Sequence, residues 1–219
     1  MNILLKYPSR GRPEIFKSMV NHYINNLSGK HNVRFIFTFD KDDDTMNNDE
    51  IKNYLNDLDF DLTYYYGNHF NKVEAINDNL TDQDFDILVL CADDIYVAEN
   101  FDDKIVKEFV NSSHGLDAIL QVYTYRWEFA LDVFCIIGKD YYDRFNYIYH
   151  PSYISEFCDN EYTSVAKSLD KTIETMNMIL THKWESIKGD ETRQRNMDRT
   201  LLNKDTNNFE KRKAVKFTV

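Results

Sequence analysis

The chain has 219 residues, a formal net charge of −11, and 42% hydrophobic, 29% charged and 15% aromatic residues. That length suits one large α/β domain with a sizeable core, and the composition excludes a disordered or low-complexity chain. The acidic balance argues against a dedicated nucleic-acid binder, which carries a basic stripe, and the 6 Gly and 3 Pro argue against a loop-rich sandwich. Three cysteines, Cys91, Cys135 and Cys158, fit neither a disulfide framework nor a zinc knuckle. The sequence holds no run of about 18 apolar residues and no secretory h-region at its start, so the expectation is a protein without a transmembrane helix, in the reducing cytoplasm.

In chain order, 2–6 (NILLK) reads as a short buried strand. Pro13 stands at the first position of a helix whose apolar face is Ile15, Phe16, Met19, Val20, Tyr23, Ile24 and Leu27, with Gly29 as a stop. Residues 33–39 (VRFIFTF) form a second strand ending at Asp40, and Asn47 or Asn48 caps the next helix. A third strand over 62–66, a third helix over 70–80 and a fourth strand over 86–90 (DILVL) follow. This β-α-β-α-β-α-β order predicts a mainly parallel sheet flanked by helices, whose ligands bind beyond the carboxyl ends of the strands. The polar clusters at 8–12, 40–44, 67–72 and 93–94 all follow strand ends and should meet in one crevice.

The second half is less regular. Helices are expected over 101–110 and 139–145, strands over 118–123 and 133–137, and a helix capped by Asp159 that runs to about Leu169. An extended run over 172–180 leads to His182, and a polar tail from 190 carries a helix near 193–202. The expected division is a nucleotide-binding half at 1–95, an acceptor half at 96–189 and a polar, helical extension at 190–219.

The strongest chemical signal is CADD after the fourth strand, which sets Asp93 and Asp94 at its carboxyl end. Two carboxylates there suit Mg2+ or Mn2+, and a metal on a diphosphate neutralises charge growing on a leaving group. A pair of turn or cap aspartates is the plainer reading of two such residues alone. Asp42, Asp43 and Asp44 read as a solvated turn rather than a second metal site. Most of Tyr141, Tyr142, Tyr147, Tyr149 and Tyr153 read as packing residues rather than a sugar-stacking wall.

In order, YPSRGRP (7–13), FDKDDDT (39–45), NHFNKVEAIN (68–77), DILVLCADD (86–94), GKDYYDRFNYIYHPSY (138–153), FCDNEYTSVA (157–166) and His182 resemble family-2 glycosyltransferases of the GT-A fold. The likeness is to the small glycosyltransferase-like proteins of phages and marine metagenomes. It implies transfer of a sugar from a nucleoside-diphosphate sugar, with inversion and a Mn2+ or Mg2+ cofactor, to a glycan, protein, lipid-linked glycan or modified-DNA acceptor. It also implies roles: Pro8, Ser9, Arg10 and Arg12 against the nucleotide, Asp40 at the base or ribose, and Lys72 at the nucleotide or diphosphate. Asp94 is the implied metal ligand, Asp93 lies at ribose or metal, and His182 completes the metal's coordination. Asp159, with Glu161 second, deprotonates the acceptor hydroxyl. Because the sequence reads Ala-Asp-Asp rather than Asp-x-Asp, the choice between Asp93 and Asp94 stays open. Arg126 and Trp127 are further candidates for acceptor contact. Two alternatives remain: a nucleotidyltransferase, weakened by the single glycine of SRGRP, and a non-catalytic binding module, weakened by the presence of Asp93, Asp94 and Asp159 together.

Overall fold

The computed structural model describes residues 1–126, 128–183, 194 and 198–218. Four strands build the first half: β1 (Asn2–Pro8), β2 (Asn32–Asp40), β3 (Leu62–Gly67) and β4 (Ile87–Leu90). Between them run α1 (Pro13–Asn25), α2 (Asp49–Asp57) and α3 (Lys72–Asn77). There follow β5 (Ile95–Val97), α4 (Phe101–Asn111), β6 (Ile119–Val122), β7 (Ile136–Gly138) and α5 (Lys139–Tyr142). The chain continues through α6 (Cys158–Ser168), β8 (Thr172–Thr175), β9 (Leu180–His182) and α7 (Arg199–Ala214).

Seven strands make one sheet in the order β3-β2-β1-β4-β7-β6-β8. Strands β1 to β4 are mutually parallel, β6 and β8 are parallel to each other, and β7 runs antiparallel to both of its neighbours. Alternation along β1 divides the core. Leu5 and Tyr7 join Phe35, Phe37 and Val89 under α1 and α4, while Leu4 joins Ile36, Leu88 and the α3 residues Val73 and Ile76 on the other face. Helix α1 buries Phe16, Met19, Val20 and Tyr23 at helical spacing, with Pro13 in its first turn. Cys91, Cys135 and Cys158 are buried. So are Tyr141, Tyr142, Tyr149 and Tyr153, which belong to the second core face. No helix among the described residues is long and apolar enough to cross a membrane.

Several boundaries differ from the sequence expectation. Helix α1 ends at Asn25, before the turn that holds Gly29 at φ 71°. Asn48 caps α2, accepting from the Ile51 N–H. Helix α3 spans only Lys72–Asn77, because Asp78 turns out of the helix (ψ 152°), giving its carbonyl to Lys6 and its carboxylate to His69. Helix α6 starts at Cys158 with Phe157 in the left-handed region as its N-cap, so Asp159 lies in the first turn instead of capping. The extended run expected over 172–180 divides. Strand β8 joins β6 in the main sheet, and β9 pairs antiparallel with β5 in a separate ribbon. The tail helix begins at Arg199, capped by the Asp198 carboxylate. Much of the earlier start expected for it, and Trp127, lie outside the described residues.

Gly138 joins β7 to α5 where Leu116 passes closely: a Cβ there would stand 2.2 Å from the Leu116 carbonyl oxygen. Backbone cannot yield cheaply, so Gly138→Ala should destabilise the fold by about 1–3 kcal/mol, the usual cost of overpacking. Urea unfolding checks this, and an unchanged midpoint would show that the Leu116 turn gives way.

Candidate active site

The chain crosses from one side of the sheet to the other between β1 and β4, so a crevice opens beyond the carboxyl ends of these neighbours. Asp93 closes its floor. Its Oδ1 accepts from the Tyr7 hydroxyl at 2.7 Å and from Ser9 Oγ at 3.3 Å, and its Oδ2 accepts from Arg12 at 3.1 Å. Only 4% of Asp93 is exposed, and burial raises its pKa against the opposing pull of Tyr7 and Arg12. These three donors commit Asp93 to joining the end of β1 to the end of β4.

Asp94 faces the other way. Its Oδ2 lies 2.9 Å from His182 Nε2, and both side chains keep partial solvent access. The β5–β9 ribbon creates this meeting across the sequence: Ile95 pairs with His182, and the Lys183 N–H donates to the Asp94 carbonyl at 2.8 Å. A carboxylate oxygen beside an imidazole nitrogen is a ligand pair that Mn2+ accepts. Among the described residues no cluster of three His, Cys, Asp or Glu side chains could hold a metal. Two protein ligands do not close a site, so an ion held there would take its remaining ligands from water or a bound molecule.

On the β2 side, Asp40 stands at the crevice rim. Arg10 donates to it at 2.6 Å and reaches Asp42 at 2.6 Å, while His69 Nδ1 lies 2.7 Å from its other oxygen. Burial pushes the Asp40 pKa up, but the bonds from His69 and Arg10 outweigh it and hold the pKa below the usual range. The second nitrogen of His69 lies 2.9 Å from Asp78 Oδ2. The bond to Asp40, opposed by burial and helped by Asp78, raises the His69 pKa. Gly67 makes room for that ring, because a Cβ at position 67 would come within 2.3 Å of it. Beneath, fully buried Lys6 donates to the Thr38 hydroxyl and, at 2.6 Å, to the Asp78 carbonyl, and burial lowers its pKa to about 7. Asp43, expected in a solvated turn, is instead buried and accepts from the Gly11 N–H at 2.7 Å and the Thr45 hydroxyl at 2.6 Å. That bond shapes the Pro8–Arg12 loop, where Pro8 is half-buried and the Ser9 N–H is tied to Thr38.

Lys72 opens α3. Its side chain reaches solvent but stands among charges: burial works against its ammonium, and Cys158, Glu156, Asp159 and Asp94 together raise its pKa. Asp159 is half-buried, its pKa raised by burial against the opposing charge of Lys72. Its Oδ1 accepts from the neighbouring Asn160 N–H at 2.9 Å. Glu161 lies two residues on, which on a helix is the opposite face. There Arg212 of α7 donates to both of its oxygens, each at 2.7 Å, and the Tyr153 hydroxyl donates to Oε2 at 2.7 Å. The structure thus ties Arg10 to Asp40, Ser9 and Arg12 to Asp93, and Asp94 to His182, leaves Lys72 exposed at the start of α3, and turns Glu161 away from Asp159.

Residues that sequence reasoning passed over are Tyr7, His69, Asp78 and Glu156. Tyr7 and His69 lie inside motifs already noted, but nothing local shows which carboxylate each will meet. A recess of about 410 Å³ beside the crevice is lined by Asn68, His69, Glu74, Asn77, Asp78 and Pro151. An aromatic recess at Tyr141, Phe145 and Tyr147 holds only about 30 Å³ and opens on the Glu161 face of α6.

No protein-family model matches the chain, and no curated protein matches it. Solved structures do. Mannosyltransferase PcManGT from Pyrobaculum calidifontis, in complex with GDP-Man and Mn2+, aligns with TM-score 0.62 and 9% identity over 79% of this chain and 54% of that one. S. aureus TarS 1-349 with UDP-GlcNAc aligns with TM-score 0.60 and 11% identity, over 82% and 57%. Glucosyl-3-phosphoglycerate synthase from Mycobacterium tuberculosis, with Mn2+, UDP and phosphoglyceric acid, aligns with TM-score 0.56 and 9% identity, over 83% and 70%. The chain spans little more than half the length of the first two. At these identities the likeness speaks for architecture: a mostly parallel central sheet flanked by helices, which is the GT-A fold.

Proposed function

We propose that this protein is a glycosyltransferase that moves a sugar from a nucleoside-diphosphate sugar to an acceptor hydroxyl, with inversion and with a divalent metal. One observation carries the reading. Asp94 and His182, 88 residues apart, meet at 2.9 Å at the crevice edge, both still partly open to solvent. The solved structures of similar fold with Mn2+ and GDP-Man or UDP support it by analogy of architecture.

In this reading the loop Pro8, Ser9, Arg10 and Arg12 lies along the nucleotide, and Asp40 receives the base or ribose, its direction set by Arg10 and His69. Asp93 acts through structure, holding Tyr7, Ser9 and Arg12 in place. Asp94 and His182 would hold Mn2+ or Mg2+, which when bound neutralises charge on the departing diphosphate. Lys72 offers a further cation to that diphosphate. Asp159 accepts the proton of the acceptor hydroxyl as its oxygen attacks the anomeric carbon. Burial suits it to that task, since a carboxylate with a raised pKa is the stronger base. Glu161 is assigned no part in proton transfer, because Arg212 and Tyr153 occupy its oxygens. The acceptor, whether glycan, protein, lipid-linked glycan or modified DNA, is left to experiment.

Asp94→Ala should abolish metal-dependent binding of a nucleoside diphosphate and lower turnover about a hundredfold or more. Calorimetry with and without Mn2+ checks the binding, and unchanged affinity in Mn2+ would remove Asp94 from the metal site.

Asp40→Ala should weaken nucleotide binding while the fold persists. A nucleotide-bound crystal structure with its base remote from Asp40 would reject that contact.

Asp159→Asn should retain donor and metal binding and slow transfer by roughly a hundredfold to ten-thousandfold, the contribution of a positioned base. Rates must be followed by product formation, since donor hydrolysis by water bypasses this group. Transfer at the wild-type rate would leave Asp159 with a purely structural place in α6.

A further inference from the structure

We propose that the C-terminal helix α7 is a strap that positions the acceptor side of the crevice, with Asp205 as its anchoring residue. The glycosyltransferase reading enters only in what Asp159 does; the strap itself is argued from geometry.

Three separate tethers run from α7 to the short segment that carries Asp159. Asp205, 1% exposed, accepts from three consecutive backbone N–H groups: Ile154 at 2.9 Å, Ser155 at 2.8 Å and Glu156 at 2.8 Å. Consecutive amides converging on one carboxylate form an anion nest, and charge-assisted bonds of this length are the stronger kind. One turn on, Phe209 stacks on Phe157 with centroids 5.4 Å apart. Phe157 needs that support, because a bulky residue at φ 62° is an outlier. It is also the N-cap that sets the direction of α6. Beyond it, Arg212 grips Glu161 with two bonds. The tethers therefore fall immediately before Asp159, at the cap of its helix and just after it.

The same segment is held from the opposite side by α3. The Val73 N–H donates to the Ile154 carbonyl at 3.3 Å, next to Lys72, and Asn77 bonds to the backbone at Ile148 and Tyr149. Residues 154–156 thus join α7 to the helix that presents Lys72. Glu156 and Asp159, the two carboxylates of this segment that act on Lys72, take their places from that junction. Asp205 does not act on substrate. It is a positioning residue, working through the backbone of 154–156.

The test compares wild type with Asp205→Asn, which keeps the size of the side chain and removes its charge, and with Phe209→Leu, which loosens a different tether and stands in if the first variant fails to fold. Hydrogen exchange should be about tenfold or more faster at the amides of 154–156 in Asp205→Asn. The carbon signal of the Asp159 carboxyl should titrate at a changed midpoint. Affinity for a nucleoside diphosphate in Mn2+ should stay within about twofold, while transfer kcat falls about tenfold. Phe209→Leu should move the same quantities less. Unchanged exchange at 154–156 would overturn the strap. Faster exchange with a wild-type Asp159 signal would also overturn it, leaving α7 a mere stabiliser. If the wild-type protein transfers no sugar from any donor, the glycosyltransferase reading fails, and the exchange and carboxyl signals still decide the strap.

Discussion

The buried carboxylate of Asp93 is the contact around which the crevice is arranged. A charge with 4% exposure persists only when its lone pairs are filled, and here Tyr7, Ser9 and Arg12 fill them. Those donors all come from β1 and the loop behind it, so satisfying Asp93 fixes that loop against the end of β4. Asp94, one residue on, is then turned to the β5–β9 ribbon and His182. Removing one donor would leave a buried charge short of partners, which is more damaging than losing the bond itself.

The same accounting sorts the other acids of this acidic chain. Asp43 is consumed by Gly11 and Thr45, Asp205 by three backbone amides, and Glu161 by Arg212 and Tyr153. Arg10 and His69 hold Asp40 at its rim. Asp94 and Asp159 keep solvent access, Asp94 beside His182 and Asp159 accepting from the neighbouring Asn160 N–H.

The cations follow a similar logic. Arg10 and Arg12 are bound to Asp40, Asp42 and Asp93, so their charge is partly spent on shaping the loop. Lys72 retains contact with solvent; burial works against its ammonium, and the acidic groups near it raise its pKa.

Much of this was legible in the residues alone. The alternation of apolar strands and amphipathic helices over the first 95 residues determined a parallel sheet, because burial demands that periodicity wherever the chain is placed. The strand end at Asp40 and the one just before Asp93–Asp94 could be read for the same reason. Pairings between distant side chains could not. Nothing in YPSRGRP states that Tyr7 will meet Asp93, nor does NHFNK state that His69 will lie between Asp40 and Asp78. Asp159 ranked ahead of Glu161 as the candidate base, but nothing in the residues told what either side chain would touch. Tertiary packing separated them, because a two-residue step on a helix reverses the face and only α7 supplies an arginine to one of those faces. Local periodicity is written in the order of residues, whereas the partner of each charge depends on which elements pack together, and that was decided by the fold.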